Sequence, residues 1–86
     1  MSRSFTADPE VMTQQLGDTV VLLHLRTDKF YELNPTAALA WQLLSSGLDT
    51  GEIASRITAE FDVSSSQVRR ELDTVTAVFE RAGLIR

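Results

Sequence analysis

The sequence has no cysteine and a single histidine. Without thiols it can hold no disulfide framework, no thiolate zinc site and no cysteine nucleophile. One histidine leaves the usual metal clusters and acid–base dyads without enough members. Glycine is sparse, and its four residues stand apart at positions 17, 47, 51 and 83, so there is no glycine-rich phosphate loop. Long apolar runs are missing too. The most apolar stretch, Val20-Val21-Leu22-Leu23, is far short of a membrane span, and Met1–Pro9 lacks the apolar core of a signal peptide. A cytoplasmic protein is therefore expected. Cationic surface is also in deficit: 12 acidic against 8 basic residues give a net charge of −4, which argues against nonspecific nucleic-acid binding. The carboxylates are scattered one at a time, with no D-x-D or E-x-x-H spacing. No metal, no other cofactor and no catalytic activity are expected.

What is present is enough for one small domain. Eighty-six residues leave no room for two cores, and 43% hydrophobic with 23% charged residues are ordinary globular proportions that exclude wholesale disorder. Residues 1–9 read as an N-terminal tail and residues 10–86 as the domain.

The first third reads as strands. Val11–Leu16 is a weak strand candidate followed by the turn pair Gly17-Asp18. Thr19–Leu25 is the strongest strand, being strongly β-branched and apolar. Arg26-Thr27-Asp28-Lys29 is a tight turn in which Asp28 tolerates a left-handed conformation, and Lys29–Leu33 returns. An even-length loop puts Leu25 opposite Phe30 and Leu23 opposite Glu32, with Val20, Leu22, His24, Tyr31 and Leu33 on the other face. Both faces of the middle strand are apolar, which predicts cover on both sides.

From Asn34 the period changes to about 3.6. Asn34-Pro35 starts a helix with the inward stripe Ala37, Ala40, Trp41 and Leu44, ended by Gly47. Asp49-Thr50, with Glu52 reaching back, starts a second helix that lines Ile53, Ile57 and Phe61 and stops near Asp62. Ser64–Gln67 has the spacing of a capping box for a third helix, with Val68, Leu72, Val75, Phe79 and Ala82 inward, Val78 off the main stripe and Gly83 at the end. The expected fold is α+β and winged-helix-like: a three-stranded antiparallel sheet followed by a three-helix cluster.

Each candidate for chemistry has a plainer reading. His24 between Leu23 and Leu25 is a partly buried or face-lining histidine with one hydrogen bond rather than a base, which would need a nucleophile and an orienting acid within reach. Trp41 is core. Arg69-Arg70, the basic pair that a DNA-binding regulator would use, is a solvated helix face weakened by Glu71 and Asp73. Of Phe30 and Tyr31, which point to opposite faces, one is core and the other is surface. The outer edge of the third strand has no sequential partner. Either Lys29 and Glu32 merely blunt it, or it accepts an extended peptide as an added strand.

The run Val21–Asn34, then Ala37 and Trp41, and the closing Ala82-Gly83-Leu84-Ile85, resemble the PqqD-like family, from about residue 11 to 86. One departure is Asp28, where a glycine is common in the turn. The resemblance implies a catalytically silent recognition element for ribosomally made, post-translationally modified peptides. The leader segment of a precursor peptide would add antiparallel to the third strand and lie in a groove against the third helix. Carried over, the edge is Lys29, Phe30, Tyr31 and Glu32. The helix wall is Val68, Leu72 and Val75, with Arg69 or Glu71 at the rim. The chain looks like a freestanding version, and by pattern fits the type that hands the leader to a separate leader peptidase in lasso-peptide biosynthesis. The alternatives are a chaperone for a radical-SAM peptide-modifying enzyme, a DNA-binding regulator and a structural subunit of an oligomer.

Overall fold

Three consecutive strands, β1 (Val11–Leu16), β2 (Thr19–His24) and β3 (Lys29–Leu33), form an antiparallel sheet in the order β1-β2-β3. Three helices follow: α1 (Pro35–Ser45), α2 (Thr50–Glu60) and α3 (Ser65–Arg81). The computed structural model describes residues 3–86.

The helix starts are set by side-chain caps. Asn34 accepts from the Ala37 N–H at 2.8 Å, and Asp49 and Glu52 exchange both bonds of a capping box. At α3, Ser64 accepts from the Gln67 N–H, while the Gln67 side chain turns to Glu71 instead of completing a box. Gly47 and Gly83 follow α1 and α3 at φ +96° and +73°. Phe61 departs from its expected place. It caps α2 in an extended conformation and is exposed, because the helix ends at Glu60 before Phe61 can turn inward.

The core lies between one sheet face and the helices. Leu22 and Leu33 meet Ala37, Trp41, Ile53, Leu72, Phe79 and Leu84, with Trp41 and Phe79 edge-to-face at 5.4 Å between centroids. The Trp41 indole N–H is satisfied by Thr13 Oγ1 at 3.0 Å.

The β2–β3 register differs from expectation by two residues: Leu23 pairs with Phe30 and His24 with Lys29. The cause is the turn. The Asp28 N–H donates to the His24 carbonyl at 2.8 Å with Asp28 at φ +58°, so the loop begins one residue earlier and Leu25 leaves the strand. A shift of two preserves the faces. On the outer sheet face Met12, Leu16 and Phe30 are exposed, so the described residues do not themselves supply the second cover expected there.

The expected tail segment has contacts of its own. Met1 and Ser2 lie outside the described residues, but from Arg3 onward the segment is docked. Thr6 and Arg86 exchange both backbone bonds, Asp8 N–H donates to the Leu84 carbonyl, and Phe5 packs against the core. The chain's last residues offer unpaired backbone groups there, and this segment supplies their partners.

Candidate functional site

The phase of the sheet hydrogen bonds identifies which backbone groups are free. Leu25 N–H donates to the Glu10 carbonyl, so odd-numbered residues of β2 face β1 and even-numbered ones face β3. His24, Leu22 and Val20 are opposite Lys29, Tyr31 and Leu33. The N–H and C=O groups of Phe30 and Glu32 therefore point away from the sheet. Along this edge the side chains alternate: Tyr31 and Leu33 turn toward the helices, whereas Phe30, 71% exposed, stands on the outer face. Of the aromatic pair, Tyr31 is the member packed against the core.

Helix α3 packs on α2 and stands off from β3. The space between is a groove with two recesses. Near the start of β3 it is walled by Thr27, Lys29 and Tyr31 on one side and Val78, Arg81 and Ala82 on the other. Near the end of β3 it is walled by Asn34 and Thr36 opposite Gln67, Arg70, Glu71, Thr74 and Val75. The helix thus runs antiparallel to the strand.

Of the eight sequence-predicted site residues, Lys29 and Tyr31 line this groove, Phe30 and Glu32 supply its open backbone edge, and Val75 belongs to its wall. Val68 and Leu72 do not. At 2% and 4% exposure they lie inside the core, beneath the wall they were expected to form. Arg69 turns to the opposite side of α3, where it lines a shallow recess with Gly51, Ser55 and Ala59 of α2. Arg70 lines the β3 side. The two arginines diverge around the helix and form no joint phosphate clamp.

Gln67, Arg70, Thr74, Val78, Arg81 and Ala82 are the α3 wall residues missed as such. Their signal was Val78, apolar yet off the inward stripe: a helix apolar over two stripes faces two surroundings, and at 45% exposure Val78 faces the open one.

His24 is buried: its Nε2 lies 3.2 Å from the Gly83 carbonyl and 3.9 Å from Asp8 Oδ2, its Nδ1 accepts from the Arg26 N–H, and these contacts tie β2 to both ends of the described chain. No cluster of three metal-ligating side chains occurs among the described residues, and no helix among them is long and apolar enough to cross a membrane.

The arrangement is a winged-helix-like domain with an open strand edge beside a helix-walled groove, a geometry that strand-accepting binding modules use. The chain matches the family model "Coenzyme PQQ synthesis protein D (PqqD)" over residues 19–85, and it belongs to that family. Two solved structures share its fold closely. TbiB1 in complex with the TbiA(beta) leader peptide superposes with a TM-score of 0.89 at 30% identity, over 94% of each chain. Lasso peptide synthetase B1 complexed with the leader peptide gives a TM-score of 0.89 at 27% identity, over 98% of this chain and 99% of the other. No curated protein matches the sequence.

Proposed function

We propose that this domain binds the leader segment of a ribosomal precursor peptide as a strand added to β3, and presents it to a separate leader peptidase or modifying enzyme of lasso-peptide biosynthesis. It does so in the cytoplasm and without catalysis of its own. The observation that carries this reading is the pair of outward-facing backbone groups at Phe30 and Glu32 beside the β3–α3 groove. Main-chain bonds to them supply affinity for any extended peptide, and the groove reads alternate side chains. Similarity over nearly the full length to two proteins whose structures contain leader peptides supports it.

The test is a titration of the 15N-labelled chain with synthetic leader peptides of lasso-peptide precursors. Saturable binding is expected, with amide shifts concentrated at Phe30 and Glu32 and along the Thr74–Arg81 face of α3. Shifts confined to β1 would refute the assignment.

A further inference from the structure

The two ends of the groove differ in charge. Where β3 ends, Arg70 faces the groove together with Glu71, so that recess is mixed. Where β3 begins, Lys29 and Arg81 line the recess with no carboxylate among its walls. Neither cation takes part in an ion pair among the described residues, and the neighbouring Glu80 is engaged by Arg3 at 3.4 Å. Two free cations on the facing walls of one recess, in a protein of net charge −4, make a local site for a single negative charge. An acidic peptide without such a site would be repelled by the molecule as a whole.

The strand geometry says where along a guest that charge belongs. A peptide bonded to Phe30 and Glu32 places the side chains opposite Lys29, Tyr31 and Leu33 on the groove face. Run antiparallel to β3, it meets Leu33 first, Tyr31 two residues later and Lys29 two residues after that. We infer that the groove selects leaders carrying an aspartate or glutamate two positions C-terminal to the side chain that packs on Tyr31, held between Lys29 and Arg81. This rests on antiparallel strand addition at β3 and adds to it a charge requirement at a stated position.

The experiment selects phage-displayed random peptides on the whole chain and maps each synthetic binder by amide shifts at Phe30 and Glu32. Among binders seated there, Asp or Glu should recur at the stated position. Replacing it by the amide should weaken binding about two- to five-fold, mostly through slower association, with the difference vanishing at high salt. The exposed double variant Lys29→Glu/Arg81→Glu, checked for fold by circular dichroism, should prefer lysine at the same position. Binders on β3 with no acidic preference, or an unchanged preference in the double variant, overturn the charge site. An acid recurring on the N-terminal side of the Tyr31 contact overturns the stated position. Binders that leave Phe30 and Glu32 unshifted overturn strand addition itself, and the charge site with it.

Discussion

Leu72 and Val78 lie on one helix, and both are branched apolar residues that a hydropathy pattern would treat alike. Leu72 is sealed among the residues of the core, whereas Val78 looks across the groove at Tyr31. Their truncations should therefore separate fold from binding. Leu72→Ala leaves a cavity and should cost about 2–5 kcal/mol of stability in urea unfolding. Val78→Ala should change stability by no more than about 0.5 kcal/mol. In leader titrations it should weaken affinity by about 1 kcal/mol through lost apolar contact. A Val78→Ala variant that binds as tightly as the wild type would remove this residue from the wall.

At the scale of elements, the ends of strands and helices are set by local chemistry that can be isolated. A Cβ at Gly47 would meet nothing within 4 Å, so Gly47→Ala tests the φ of +96° alone. It should lower stability by about 1–2 kcal/mol in denaturant melts without moving the groove. The elements themselves were legible because their signals are local: the β-branched run of β2, Asp28 in the turn, and the capping residues Asn34, Asp49 and Ser64. What failed was relational. The β2–β3 register depended on one turn bond, Asp28 N–H to the His24 carbonyl, that composition does not specify. The wall of the groove depended on which flank of the α3 stripe meets solvent. Periodicity marks a buried face but does not say what lies beside it, so Val68 and Leu72 were assigned to the site they support from within.

At the scale of the whole molecule, Asp8 joins segments far apart in sequence. Its carboxylate accepts from the Glu10 N–H at 2.9 Å, from Arg26 at 3.2 Å and from Arg86 at 3.4 Å. The Glu10 backbone bond above all, with Arg86 and Arg26, holds its pKa below the usual aspartate value despite burial. A pKa lower in the folded than in the unfolded state stabilises the fold above about pH 4, and that contribution is lost as pH falls through the folded value. The wild-type thermal midpoint should thus drop between neutral pH and pH of about 3. Asp8→Asn, which keeps an acceptor for Glu10 but no charge for the arginines, should melt lower at neutral pH and respond less to acid. None of this was legible in Arg3–Pro9, which has no hydrophobic period. Its order comes from partners elsewhere in the chain, Thr50 at the start of α2 and Leu84 and Arg86 at the far end among them.

The mutual backbone bonds of Thr6 and Arg86 bring the first and last described segments side by side, so the fold is nearly a closed ring of chain. A few linking residues would complete that ring, and new ends could be opened in the Gly17-Asp18 turn without disturbing a paired strand or either wall of the groove. The order β-β-β-α-α-α is then one of several linear spellings of the same fold, and the open edge of β3 belongs to the ring rather than to any one of them.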